Sequence, residues 1–169
     1  SDSLWINVSA GLAVSQIYKL GQSATNKKVL INGYQDNGSA RYNGSFTTVF
    51  GGDGMDCLVD FTDESISFGE IYYGSIFRVK NNNPENYVAG SGRNGITESG
   101  AWVTPFLLKS DNPNTMFVGY KNVWRSNNIK ASNISTITWT PISNNLGGSN
   151  SANINVLENN STQPNMLYM

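Results

Sequence analysis

Short apolar strands separated by tight polar turns recur along this chain at intervals of about 40–50 residues, and no helical periodicity competes with them. The clearest copy runs from Thr115 to Ser143. It opens with Met116 to Tyr120, turns at Lys121 and Asn122, and continues as Val123 to Ser126. An Asn-rich hairpin over Asn127 to Ser135 then leads to a strand carrying Trp139 to Ile142. Aromatic residues mark the last strand of each copy at Trp5, Phe46, Tyr87 and Trp139. Apolar residues mark the second strand at Val29, Ile66, Met116 and Met166. Four short strands per unit at this period predict the blades of a β-propeller. A β-sandwich is the architectural alternative, since it too uses short, regularly spaced strands.

The expected fold is therefore all-β: a propeller fragment of about three four-stranded antiparallel blades, with partial strands at both ends. The blades fall at 12–50, 55–89 and 102–143. A strand over 4–8 belongs to a preceding blade, and 152–169 begins the next. Within them, Ala13 to Leu20 reads as a mostly buried strand, Asn43-Gly44 as a hairpin turn, and Asn81 to Pro84 as a break. Met55 to Phe61 and Trp102 to Leu108 read as further strands, and Ser110 to Asn114 as a turn. Three and a half blades do not close a ring, and the sequence stops in mid-strand. The expected partners are thus the remaining blades of a longer parent chain or a second copy; two copies would form a ring of near seven.

Composition narrows the chemistry. Charged residues make up 14% of the chain and the net charge is −1 with no basic run, which argues against a nucleic-acid partner. No apolar run is long enough for a membrane span. Histidine is absent and Cys57 is the single cysteine, so a His-based triad, a disulfide within the chain and a cysteine-ligated zinc site are all excluded. The acids around Gly51-Gly-Asp-Gly54 lack the ligand spacing of a calcium loop, and no Lys-Ser/Thr pair makes this glycine run a phosphate loop. No cofactor or metal is expected. An abundance of Asn, Ser, Thr and Gly suits sheets joined by tight turns and is common in secreted bacterial surface proteins.

Val123-Trp-Arg-Ser126, Asn128 and Thr138-Trp-Thr140 resemble a degenerate Asp-box of the BNR-repeat propellers. Asn128 stands at the Asp position, Lys130 replaces the Gly, and several residues are inserted before Trp139. Gly33 to Gly38, Gly51 to Gly54, Trp102-Val-Thr-Pro105 and Val118 to Ser126 are similar to segments of the sortilin-like and xyloglucanase-like propellers secreted by Bacteroidota. The resemblance implies an extracellular or cell-surface propeller. It leaves open whether the activity is binding of glycans or peptides, or glycoside hydrolysis of plant glucans.

In a four-stranded meander the turn between second and third strands lies at the same end as the loop to the next sheet. One face should therefore gather Asp36, Asn37, Tyr72, Tyr73 and Lys121 with Asp53, Arg93, Asn94, Glu98 and Trp102. Exposed rings and carboxylates on one face suit sugar binding. Asn37, Tyr72, Tyr73, Arg93, Glu98 and Trp102 are the candidate ligand contacts. Hydrolysis requires two carboxyl groups, and Asp53 with Asp36, from adjacent loops, is the candidate catalytic pair. Each has a structural counterpart: Asp36 and Asp53 as turn residues, the tyrosines as packing between blades. Asp60, Asp63 and Asp111 are expected in solvated turns at the other end, Trp5, Trp124 and Trp139 in the core, and Cys57 as a buried inert thiol. The function expected is a binding or scaffold module for a glycan or protein ligand; the alternative is part of an endo-acting glycoside hydrolase.

Overall fold

A computed structural model describes residues 10–11, 14–148 and 152–169; the strand expected over 4–8 lies outside them. The fold is all-β. Three four-stranded antiparallel sheets follow one another, each a simple meander. The first holds β1 (Ile17–Gln22), β2 (Val29–Tyr34), β3 (Gly38–Asn43) and β4 (Phe46–Phe50). The second holds β5 (Cys57–Val59), β6 (Ile66–Glu70), β7 (Ile76–Lys80) and β8 (Asn83–Ala89). The third holds β9 (Phe106–Lys109), β10 (Asn112–Gly119), β11 (Val123–Ser126) and β12 (Thr140–Pro141). Among the described residues a fourth sheet has two strands, β13 (Glu158–Asn159) and β14 (Leu167–Tyr168).

The turns explain why strands start where they do. Between first and second strands, one short polar side chain folds back on its own backbone. Ser23 Oγ accepts from the amides of Thr25 and Asn26 at 3.2 and 3.1 Å. Asp60 Oδ1 does the same for Thr62 and Asp63 at 2.8 and 3.2 Å, and Asn160 Oδ1 for Thr162 and Gln163 at 2.8 and 2.9 Å. Each cap precedes its apolar residue, Val29, Ile66 or Met166, by the same number of positions. Between third and fourth strands, Asn81 and Asn82 both take left-handed backbone angles (φ 51° and 62°), as a tight hairpin turn demands.

The sheets stack in chain order, and each contact has its own core. Val29, Ile31 and Val49 of the first sheet meet Cys57, Phe77 and Val79 of the second, where the Phe50 ring stacks on Phe77 at 4.0 Å. Ile66, Phe68 and Val88 meet Met116, Val118 and Trp139 of the third. Phe117 and Val123 then meet Leu157 and Leu167 beside the fourth. The first strands of the first two sheets lie side by side: a Cβ on Gly21 of β1 would stand 2.6 Å from Leu58 Cα of β5. Polar side chains also cross between sheets. Arg41 of β3 reaches Ser67, Glu64 and Asn82, and Arg78 of β7 reaches the Ile129 carbonyl.

Several boundaries differ from expectation. Ile17 and Leu20 are exposed, so β1 is not a mostly buried strand. Phe46 is 59% exposed and anchors no core, because no described sheet covers that side of the first one. Asn81–Pro84 is no break: Pro84 sits within β8, an edge strand whose outer side needs no amide donor. Trp102 to Pro105 is irregular, leaving β9 only Phe106–Lys109, and β5 is shorter than Met55 to Phe61. Strand β10 begins at Asn112, inside the expected turn. The second-strand alignment slips by one position in the third sheet, where Phe117 stands opposite Arg125 as Phe68 stands opposite Arg78.

Asp60 is the largest correction, since it is fully buried rather than solvated. Its Oδ2 lies 2.6 Å from Lys130 Nζ of the third sheet, a charge contact outside hydrogen-bonding angles. Removing one partner of a buried pair is costly. Asp60→Ala is expected to lower the unfolding free energy by about 3 kcal/mol, measured by urea titration. Asp60→Asn keeps the turn cap, as Asn160 does, and is expected to lose less than half as much.

Candidate functional site

Each turn between second and third strands is tied by hydrogen bonds to a loop that joins two sheets. At the first sheet, the amide of Asp36 donates to Asp53 Oδ1 at 2.7 Å, and Gly38 donates to the Gly52 carbonyl at 2.7 Å. At the second, Gly100 donates to the Tyr73 carbonyl at 3.1 Å and Tyr73 to the Trp102 carbonyl at 3.4 Å. At the third, Asn122 donates through its amide to Glu98 Oε2 at 2.9 Å and through Nδ2 to Glu98 Oε1 at 2.7 Å. Asp36, Tyr73 and Asn94 hold left-handed backbone angles (φ 60°, 61° and 49°). For a tyrosine this is unusual, and Tyr73 is fixed by the two bonds just named.

The centre of this face is aromatic. Tyr72 and Trp102 stack nearly parallel, 5.2 Å apart and 7° between planes, and Tyr73 stands edge-on to both at 5.7 and 5.3 Å. Tyr72, Tyr73 and Trp102 keep 39%, 50% and 42% of their surface exposed, so the tyrosines are not packing between sheets. Trp102 Nε1 lies 3.5 Å from the hydroxyl of Tyr18, which extends the patch onto β1. The exposed Arg93 guanidinium lies 4.6 Å over the half-buried Tyr87 ring. Burial raises the Tyr87 hydroxyl pKa, with Arg93 opposing that shift and Tyr72 adding to it.

The carboxylates behave differently. Asp53 gives an oxygen to the Asp36 amide, and this bond is what joins the two acids. Asp36 and Asn37 are exposed and line a shallow hollow of about 370 Å³ with Val14 and Gln16. Glu98 is occupied by Asn122 and by Trp124 Nε1, the latter at 3.1 Å. Burial pushes its carboxyl up, but these bonds and the Lys121 amide outweigh burial and hold it below the usual carboxylate range. Glu98 thus braces the long loop against the third sheet. Asn94 donates to the Val88 carbonyl at 3.3 Å, while Lys121 is exposed on its turn.

Three residues of this region escaped the sequence: Tyr18, Tyr87 and Glu70. Glu70, fully buried at the end of β6, accepts the amides of Gly74 at 2.9 Å and Thr104 at 3.0 Å. It therefore anchors both segments that carry the rings. Tyr120 closes the same spot, donating its hydroxyl to the Gly74 carbonyl at 2.7 Å. Gly74 takes φ +78°, and a Cβ there would stand 2.2 Å from the Tyr120 ring. A Glu at the end of a buried strand, followed by Tyr-Tyr-Gly, is the signal that was available.

A second cleft, of about 460 Å³, opens between the first strands and is lined by Lys19, Asp56, Leu107 and Glu158 among others. Asp56 lies 3.7 Å from Lys19, and burial raises its pKa against that charge. Cys57 beside it is buried, bonds the Ile31 carbonyl at 3.2 Å, and has its thiol pushed up to about 12, as an inert thiol should. Among the described residues no three Cys, Asp or Glu side chains gather as metal ligands, and no helix is long and apolar enough to cross a membrane. No protein-family model matches the chain, and no curated protein matches it in sequence.

Burial raises the Glu70 carboxyl to about 8, even against the amides of Gly74 and Thr104. The folded state therefore holds this proton more tightly than the unfolded chain. The associated stability is fully present below the ordinary glutamate pKa and falls as pH rises through about 8. Chemical denaturation from pH 5 to 9 is expected to show wild type losing stability relative to Glu70→Gln; parallel curves would remove this role.

Proposed function

We propose that the chain is part of a β-propeller of the BNR-repeat, sortilin-like and xyloglucanase-like kind, acting outside the cell as a binding module for a glycan. Meander sheets stacked in chain order, with their first strands side by side, support the propeller reading. So does the third sheet's hairpin, where Asn128 Oδ1 accepts the Thr138 amide at 3.1 Å above the buried Trp139. The observation that carries the ligand class is the exposed cluster of Tyr72, Tyr73 and Trp102 beside Arg93. Rigid rings cover the apolar faces of pyranoses, and neighbouring polar groups bond their hydroxyls.

Hydrolysis is the second reading, motivated by the nearness of Asp36 and Asp53. It is less well supported, because Asp53 already braces the Asp36 amide. Titration calorimetry with xyloglucan oligosaccharides and cellohexaose, preceded by a glycan array, tests the first reading. Trp102→Ala is expected to weaken binding at least tenfold, about 1.4 kcal/mol, while Asp111→Ala in the opposite turn leaves it unchanged. An empty array, or a protein ligand captured equally well by Trp102→Ala, would sink the glycan reading. Release of reducing sugar that is abolished in Asp53→Ala would favour the second.

A further inference from the structure

Charge is unevenly placed around the aromatic patch. Arg93 is exposed and makes no ion pair among the described residues. Its guanidinium lies 4.6 Å over the Tyr87 ring, a contact that restrains the group while leaving its N–H donors available to an anion. The backbone that carries it is closed on itself. The Arg93 amide donates to the Gly90 carbonyl at 3.0 Å, Gly92 donates to the Ile96 carbonyl at 2.8 Å, and Ile96 donates to the Arg93 carbonyl at 2.9 Å. Asn94 ties the same turn to the Val88 carbonyl at 3.3 Å. The cation is thus presented on a built turn.

Lys121 is a second exposed cation without an ion pair among the described residues. It follows Tyr120, whose hydroxyl bonds the Gly74 carbonyl, so its turn stands beside the turn that carries Tyr72 and Tyr73. The acids of these turns are spent inward. Glu98 gives both oxygens to Asn122 and one of them also to Trp124 Nε1. Glu70 is fully buried, and burial raises its carboxyl to about 8, so it adds no charge at neutral pH. Asp36 is exposed but lines its own hollow with Val14 and Gln16. Beside the rings, the outward charge is positive.

We propose that the sugar bound by this patch is acidic: a hexuronate-containing glycan whose carboxylate pairs with the Arg93 guanidinium while its pyranose faces lie on the Tyr72, Tyr73 and Trp102 rings. The assignment rests on the glycan-binding reading of the same patch and narrows its substrate class. A planar guanidinium matches a planar carboxylate through two parallel hydrogen bonds, which are stronger than bonds to neutral hydroxyls. Lys121 adds long-range attraction for the same anion. Contact area on the rings and one charge pair together discriminate an acidic sugar from a neutral one, which leaves the guanidinium without a charged partner.

The test is titration calorimetry of the full chain with oligogalacturonate, oligomannuronate and the methyl ester of each, which removes the charge and keeps the shape. At least one acid is expected to bind at least tenfold tighter than its ester. Arg93→Gln should shrink that preference to about twofold, Arg93→Lys should restore part of it, and Trp102→Ala should weaken acid and ester alike. Equal affinity for acid and ester, or a preference that survives Arg93→Gln, overturns the acidic-sugar assignment while leaving glycan binding in place. Binding of neither, with none to neutral oligosaccharides, removes both. A polyglutamate peptide bound as tightly as the uronates would show charge read without a sugar, and a sulfated oligosaccharide bound in their place would show a different anion; either result overturns the assignment.

Discussion

A guanidinium buried between two sheets is tolerated only where the facing sheet supplies oxygens, and this constraint orders the molecule. Arg41 and Arg78 are almost fully buried. An apolar interface alone would let neighbouring sheets slide or rotate, since hydrophobic contact is non-directional. Directional donors remove that freedom: Arg41 finds its acceptors only when the turns ending in Glu64 and Asn82 stand at one height against β3. Asp60 and Lys130 add a charge contact across the next pair of sheets, with the acid on the second and the cation on the third. The cores supply the driving force for stacking, and the crossing charges fix its register.

That register positions the loop face. Once adjacent sheets are locked at one height, the turn between second and third strands meets the loop that leaves the same sheet. The bonds from Asp36 to Asp53 and Gly100 to Tyr73 close two such junctions, while Asn122 of the third turn binds Glu98 in the loop that enters its sheet. The second junction is the only one carrying three large rings, and Glu70 holds it from beneath. A buried acceptor placed under both Gly74 and Thr104 sets the separation of the Tyr72–Gly74 turn from the Trp102 segment. The parallel stack of Tyr72 on Trp102 is thus a consequence of backbone anchoring, and it is rigid without being covered.

Much of this was legible in the sequence, and the failures have physical reasons. Strand number and order follow from turn chemistry, which is local: Gln35 to Gly38, Asn43-Gly44 and Asn122 each sit where a reversal occurs. The convergence of turn and loop follows from meander geometry alone, so the neighbourhood of Tyr72, Tyr73 and Trp102 was readable without coordinates. Burial of single polar residues was not. Asp60, Asp63 and Asp111 all stand in polar turns, yet only Asp60 faces a neighbouring sheet and is fully enclosed. Likewise the repeated arginines are spaced unevenly along the chain, and only strand register shows that Arg41, Arg78 and Arg125 are equivalent.

The use made of acids bears on what the face can do. Asp53, Asp60, Glu70 and Glu98 each accept backbone amides, and Glu85 pairs with Arg78. Carboxylates spent this way are held in fixed positions and have fewer lone pairs left for a substrate, which works against a proton-transfer role for these four. What remains outward at the second junction is ring surface, a tyrosine hydroxyl and the Arg93 guanidinium. Under the proposed binding function, these groups meet a flat, hydroxyl-rich ligand through contact area and hydrogen bonds. The same acids that lock the loops in place therefore bias the face toward binding.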